Sequence, residues 1–149
     1  MLRTGRHVWG DQAVSQELIA LAREVTSRPA PAPSAAEASA HRSRPYNLMR
    51  KYVDVRQRDA VAGGLLAMQA IVAATEAYFS LNRIWKVGER ERLDVIERTN
   101  PVAAEALRRV IEVCPAALSE RPELLESAIT SLVGEPFGAE EEDWLEFAR

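Results

Sequence analysis

The residues best suited to chemistry lie in one segment, YFSLNRIWKVGER, which runs from Tyr78 to Arg90. Tyr78, Asn82 and Lys86 are spaced four apart, so they share one face if the helix continues past Trp85. A helix that ends in hydrogen-bonding and cationic side chains can hold an anionic ligand. This end of the helix is therefore a candidate anion-binding site.

A second set of residues, Glu76, Ser80 and Arg83, lies on an adjacent face of the same helix. A simpler interpretation accounts for the same residues. Arg83 and Lys86 complement the negative end of the helix dipole, and Asn82 hydrogen-bonds to the loop that follows. Periodicity alone favours this helix-termination interpretation over a ligand site.

Other kinds of reactive centre find little support, so no catalytic residue and no metal site is predicted. The only histidines, His7 and His41, have no partner at metal-ligand spacing. Cys114 lies among aliphatic residues, where a buried structural thiol is expected, and a single cysteine favours a reducing, cytoplasmic setting. Asp54 and Asp59 are about 140° apart on a helix and do not converge.

Charge is unevenly distributed along the 149 residues. Residues 1–58 carry a formal charge of +5, and residues 59–149 carry −8. The positive charge is concentrated at Arg42, Arg44, Arg50, Lys51, Arg56 and Arg58. No RNA-binding motif accompanies these residues, so nucleic acid is not the favoured partner. Ion pairs of Arg50 and Arg58 with Asp54 along an exposed helix face are expected instead.

The periodicity of apolar residues predicts an all-α protein, a helical bundle of about five to six helices, and allows one short N-terminal strand at Arg6–Gly10. Three segments are expected: a strand and linking helix (1–27), a Pro/Ala-rich connector (28–44) and a helical bundle domain (45–149). Asp11 is expected to cap the linking helix, and Ser34 with Glu37 fits a capping box before a short helix. The remaining helices are predicted near 46–58, 60–83, 89–98, 101–113, 122–132 and 139–148.

The predicted central helix, 60–83, is apolar around much of its circumference, which places it in the middle of the bundle. Its weakly polar run, 60–75, is shorter than the roughly 20 residues that cross a bilayer, so no membrane span is predicted. Two stripes are expected to face the core. They are Val61, Leu65, Met68, Val72 and Phe79, and beside them Ile71, Tyr78 and Leu81.

The sequence LNRIWK, followed by GERERLDVIER and NPVAAEALRRV, resembles the C-terminal helical domain of aminoglycoside-adenylyltransferase-like nucleotidyltransferases. The matching positions are Phe79, Leu81, Asn82, Trp85 and Lys86. The segment RTGRHVWGDQAVSQELIALARE resembles the last strand of their catalytic domain passing into the linking helix. The resemblance spans residues 3–134 and includes the predicted anion site.

The resemblance implies a nucleotide or small-molecule acceptor bound in a cleft between this domain and a catalytic domain. Lys86 would then contact phosphate and Asn82 would orient it, while Glu76, Tyr78 and Arg83 would line the cleft. ATP with Mg²⁺ is implied only when a catalytic domain is paired with the chain. The chain has neither the Gly-Ser turn nor the paired aspartates that hold two metal ions, so alone it is expected to bind no cofactor and to be inactive.

Two further hypotheses come from other classes of function. Wide apolar helices and the tail residues Trp144, Leu145 and Phe147 suggest a helical protein-interaction or homo-oligomerisation module. The basic segment 42–58 suggests RNA binding, which would have to weaken with salt.

Overall fold

A computed structural model describes residues 12–113, 118 and 120–135 of the chain. This part contains six helices: α1 (Gln12–Ser27), α2 (Ala35–Val55), α3 (Ala60–Leu81), α4 (Glu89–Thr99), α5 (Pro101–Glu112) and α6 (Pro122–Val133). The described residues contain no strand, so the all-α bundle is confirmed for them. The predicted strand at 6–10, the Asp11 cap, Cys114 and the helix at 139–148 lie outside the described residues.

α2 differs most from the sequence prediction. We expected a helix to begin near Pro45, but α2 begins at Ala35 and continues through Pro45 to Val55. Its start is the predicted capping box, in which the Glu37 N–H donates to the Ser34 hydroxyl at 3.3 Å and the Ser34 N–H donates to the Glu37 carboxylate at 2.8 Å. Pro45 is fully buried, so its packing offsets the roughly 3 kcal/mol cost of an interior proline. The extended connector is therefore 28–34.

α2 and α3 form a helical hairpin and pack more extensively than any other helix pair of the described residues. Asp59 caps α3 as predicted, since its carboxylate accepts the Val61 and Ala62 N–H groups at 3.0 and 2.9 Å. Gly63 permits the close approach at the turn. An added Cβ there would lie 2.9 Å from the Arg56 Cα, so any larger residue would push the two helices apart.

The core lies between α3 and the helices that pack around it, α2 and α6, with α4 and α5 completing the bundle. Its largest fully buried side chains include Tyr52, Phe79, Ile96, Leu125 and Ile129. By length and composition α3 could also cross a membrane, but the core helix of a soluble protein passes the same test. Ten of the 22 residues of α3 are buried in this fold.

One half of the predicted orientation of α3 is wrong. Ile71, Tyr78 and Phe79 are buried as expected, but four other members of the predicted core stripes face outward. Their exposed fractions are 76% for Val61, 61% for Leu65, 59% for Met68 and 45% for Val72. We call these four residues the outer stripe. The periodicity could not orient this helix, because apolar residues occupy nearly all of its circumference.

The inner face of α3 is built mainly from small residues. Ala67, Ala70, Ala74 and Ala77 are all at most 2% exposed. Short side chains at a helix contact bring the helix axes closer together, and the alanines thus suit the tight hairpin with α2. The buried face of α3 thus combines these small residues with Ile71, Tyr78 and Phe79, while the four large residues of the outer stripe are exposed.

α1 contributes no buried residue to the bundle. The connector after it is held by the loop that follows α3. The Trp85 Nε1 donates to the Arg28 carbonyl at 2.6 Å, and the Ala30 N–H donates to the Arg83 carbonyl at 2.8 Å. The connector that follows α1 is therefore attached to the bundle by hydrogen bonds, while α1 itself has half-buried and exposed residues and no fully buried one.

Candidate functional site

The end of α3 does not have the form that the predicted anion site requires. The helix ends at Leu81, and Arg83 adopts a left-handed conformation with φ of 56°. The Asn82 Nδ2 donates to the Tyr78 carbonyl at 2.9 Å and the Ile84 N–H donates to the Phe79 carbonyl at 2.8 Å. Because the helix stops before Trp85, the shared face expected for Tyr78, Asn82 and Lys86 does not form.

The polar side chains in this segment make structural contacts. The Tyr78 side chain is 4% exposed and its hydroxyl lies 2.7 Å from the Thr99 hydroxyl. The Arg83 Nε donates to the Ala30 carbonyl at 3.1 Å, beside the indole contact of Trp85 with the connector. These contacts agree with the helix-termination interpretation, since they close α3 and anchor the connector.

The five predicted nucleotide-binding residues are therefore distributed over different environments. Tyr78 is buried, Asn82 and Arg83 hydrogen-bond to backbone carbonyls, and Lys86 is exposed. Glu76 lies elsewhere, on a groove between α2 and α3. Nucleotide binding by these residues stays a prediction.

The basic residues of α2 are arranged differently from the expected ion pairs. Arg58 donates to the backbone carbonyl of Asp54 through Nε and Nη2, at 3.3 and 2.8 Å, and does not engage the carboxylate. The ion pairs among the described residues join Glu24 to Arg28, Glu97 to Arg108 and Glu105 to Arg109. Within that part of the chain Arg44, Arg50 and Lys51 take part in none of them.

A groove between α2 and α3 forms a concave surface with a volume of about 620 Å³. Leu65, Met68 and Val72 of the outer stripe line its α3 side. Arg44 and Lys51 lie on its α2 side, seven residues apart and both exposed. The α2–α3 groove thus has an apolar wall next to a rim with two unpaired cations.

A second groove, between α5 and α6, has a volume of about 400 Å³ and a different character. Its charged side chains Glu105 and Arg109 pair with each other at 3.1 Å. Val102, which also lines it, is 71% exposed. This groove has apolar surface and no unpaired charge of the kind that Arg44 and Lys51 supply, so it serves as a natural comparison for the α2–α3 groove.

α1 carries a further exposed apolar surface. Leu18, Leu21 and Val25 are 50, 56 and 44% exposed, and we call them the α1 stripe. Glu17 and Glu24 are seven residues apart, so they flank this stripe along one edge. An apolar stripe with an acidic edge is therefore present on the same chain as an apolar groove with a basic rim.

The clearest displacements of pKa occur at structural contacts. Burial raises the pKa of the Tyr52 hydroxyl, which donates to the Leu118 carbonyl at 2.6 Å, and it raises the pKa of Tyr46, which donates to the Gly134 carbonyl at 2.7 Å. The hydrogen bond from Arg108 lowers the pKa of Glu97. No cluster of three or more His, Cys, Asp and Glu that could hold a metal occurs in the described ranges.

No protein-family model, curated protein or solved structure matches the chain. The function is therefore inferred from the surfaces that the fold creates.

Sequence reasoning identified Arg44 and Lys51 as part of a basic segment but did not place them beside Leu65 and Met68. The signal was present in the spacing. The residues of the outer stripe recur at intervals of four, three and four, which is typical of the seam between two packed helices. Without the hairpin geometry, that spacing could not be distinguished from a buried stripe.

Proposed function

We propose that this chain is a protein-interaction module that binds an acidic amphipathic helix in the α2–α3 groove. The observation that supports it most directly is the outer stripe, of which three large exposed side chains, Leu65, Met68 and Val72, line a concave surface. Helices commonly bind in such grooves by placing apolar residues at intervals of three and four into them. The two cations Arg44 and Lys51 outnumber Glu76, the one carboxylate of the lining, so the charge of the groove favours an acidic helix over a basic one.

The size of the apolar surface sets the expected affinity. Complete burial of a Leu, Met or Val side chain is worth about 1.5–3 kcal/mol, and the outer stripe is already partly covered. Association costs several kcal/mol in lost freedom, so much of that gain is offset. We expect a dissociation constant in the micromolar range, which corresponds to about −8 kcal/mol.

The shape of the surface favours a helix over a lipid bilayer as the bound partner. Leu65, Met68 and Val72 of the outer stripe form one side of a groove, whose opposite side is α2. A cylinder about 10 Å across can enter such a groove, whereas a flat membrane surface reaches only its edges. Glu76 and Gln69 also line the groove, and their polar groups are poorly suited to a hydrocarbon environment.

The experiment is an NMR titration with three designed 16-residue helical peptides. All three carry the same apolar positions, with acidic, neutral or basic residues beside them. We expect the acidic peptide to bind tightest and to shift resonances of α2 and α3, and we expect Met68→Glu to abolish its binding. Val102→Glu is the matched control, because it places the same charge on an exposed apolar residue of the other groove.

The proposal would be contradicted if no peptide bound, or if the peptides bound at the α5–α6 groove. It would also be contradicted if the chain bound anionic phospholipid vesicles but none of the peptides, and if Met68→Glu abolished that vesicle binding.

Nucleotide binding is a separate candidate, favoured by the exposed Lys86 beside the segment that resembles nucleotidyltransferases. Calorimetry with ATP and Mg²⁺ tests it. Binding that Lys86→Ala weakens would support it, and the absence of heat, alone and with a catalytic domain supplied, would exclude it.

A further inference from the structure

We propose that the helix bound in the α2–α3 groove is α1 of a second copy of this chain. Two copies would then exchange their α1 helices reciprocally and form a symmetric dimer. The proposal rests on the function proposed above and names the partner of the same site. It accounts for two exposed apolar surfaces of one chain by a single kind of contact.

α1 is packed less completely than the other helices of the described chain. It has 16 residues and none of them is buried. Isolated helices of this length are marginal in water, because most helical stability in proteins comes from packing of an apolar face. The α1 stripe is about half exposed and its apolar neighbours Ile19 and Ala22 are half-buried, so α1 is incompletely packed in the part of the chain that the structure describes.

The two stripes have the same spacing. Leu18, Leu21 and Val25 are separated by three and four residues, and so are Leu65, Met68 and Val72. Intervals of three and four generate the seam along which two helices interlock side by side. Each apolar side chain of α1 can therefore meet a gap between apolar side chains of α3.

The charges beside the two stripes are complementary and have the same spacing. Glu17 and Glu24 are seven residues apart on α1, and Arg44 and Lys51 are seven residues apart on α2. Seven residues of helix span about 10.5 Å, so both pairs can meet at once. Only the exposed ion pair of Glu24 with Arg28 must be exchanged, and such pairs contribute about 0–1 kcal/mol.

The anchored connector favours a second copy over the chain's own α1. Trp85 and Arg83 hold Arg28 and Ala30 against the loop after α3, and in this arrangement the α1 stripe is exposed. A second copy can bring its α1 to the groove with the anchors of both chains intact. Each chain carries one α1 helix and one α2–α3 groove. Two copies related by a twofold axis therefore fill both grooves and leave no α1 helix without a partner.

The contact area is sufficient for a dimer of modest affinity. A 16-residue helix is about 24 Å long and about 10 Å wide. Two such contacts, each covering two surfaces, bury on the order of 1,000 Å², which is near the lower limit for specific protein interfaces. We therefore expect a dimer that dissociates in the micromolar range.

Sedimentation velocity on the full chain, over a wide range of concentration, tests the proposal. The wild-type chain should dimerise, and Leu18→Glu and Met68→Glu should each weaken dimerisation by at least about 10-fold, equivalent to about 1.4 kcal/mol. Both substitutions replace a good helix former with another, so the fold should remain. Gln16→Glu on the far face of α1 and Val102→Glu on α5 are matched controls that should still dimerise.

The designed acidic peptide separates this inference from the proposed function. Leu18→Glu should bind the peptide normally, because its groove is intact, whereas Met68→Glu should not. A wild-type chain that stays monomeric and still binds the peptide would overturn the inference and leave the proposed function standing.

Other outcomes also overturn it. A Met68→Glu chain that still dimerises while Leu18→Glu does not would mean that α1 pairs with α1. Loss of the dimer on removing residues 139–149, with Leu18→Glu unaffected, would mean that the acidic tail occupies the groove.

Discussion

The two faces of α3 differ in their proportions of small and large apolar residues. The inner face presents Ala70, Ala74 and Ala77 to the bundle, all fully buried, while the outer face presents Leu65 and Met68, both mostly exposed. In an ordinary amphipathic helix the large apolar residues are buried and the outer face is polar. The difference indicates that the inner face is shaped for close packing within the chain, and it supports the proposal that the outer face binds a partner.

The contrast also shows that apolar residues in a sequence can meet two different physical requirements. On the inner face the requirement is shape, because alanines permit close approach of α2 and α6. On the outer face the requirement is area, because large side chains gain most when they leave water. Substitutions on the two faces should therefore affect different measurements, stability for the inner face and association for the outer one.

The largest expected effect compares Phe79→Ala with Met68→Ala. Phe79 is 2% exposed, so its truncation leaves a cavity and should lower the free energy of unfolding by about 3–5 kcal/mol. Met68 is 59% exposed, so its truncation should cost less than about 1 kcal/mol in the monomer. Urea denaturation at low protein concentration measures both. Similar losses for the two variants would mean that the outer face also packs within the chain.

The next effect concerns added volume. Ala70 is fully buried, and Ala70→Leu should force the packed helices apart at a cost of about 1–3 kcal/mol in the free energy of unfolding. Val72→Leu enlarges a side chain on the outer face and should change stability by no more than about 0.5 kcal/mol. Thermal denaturation of the two variants makes the comparison. If Ala70→Leu left the melting temperature unchanged, the inner face would not be closely packed.

A smaller effect is expected where α1 joins the bundle. Trp85→Phe removes the hydrogen bond from the indole to the Arg28 carbonyl and keeps an aromatic ring, so it should cost about 0.5–1.5 kcal/mol. Amide hydrogen exchange should become faster in residues 28–34 and stay unchanged in α3. Uniformly faster exchange throughout the bundle would contradict an anchoring role for Trp85.

The smallest effect is a pH dependence at the start of α2, the helix that supplies the basic rim. Hydrogen bonds from the Ser34 N–H and hydroxyl lower the pKa of Glu37 below its ordinary value of 4.5. A lowered folded-state pKa stabilises the protein above pH 4.5, and this stabilisation is lost as the pH falls through the folded-state pKa. Melting temperatures between pH 7 and pH 3 should fall less steeply for Glu37→Gln, which keeps the cap but cannot titrate. Equal slopes for the two chains would refute this assignment.

Much of the fold could be read from local signals in the sequence. The caps at Ser34 and Asp59 and the proline that opens α5 each act on their own helix end, so no tertiary information was needed to place them. Pro45 was misinterpreted because the cost of a proline within a helix is local, whereas the burial that offsets it is tertiary.

The candidate site was harder to predict, for two physical reasons. The segment from Tyr78 to Lys86 contains polar side chains that could serve a ligand or a helix end, and only the backbone conformation at Arg83 decides how they are used. The groove depends on which face of α3 is buried, and a helix that is apolar all round contains no periodic signal for that choice.

The most direct measurement for the interaction surface is an exchange of charges between two chains. One chain carries Glu17→Lys with Glu24→Lys, and the other carries Arg44→Glu with Lys51→Glu. Each chain alone should be monomeric, since like charges then meet at both contacts. In an equimolar mixture both contacts pair opposite charges again, and sedimentation velocity should show a heterodimer with an affinity near that of the wild-type homodimer. A mixture that remains monomeric, or charge-reversed chains that dimerise as well as the wild type, would contradict the account.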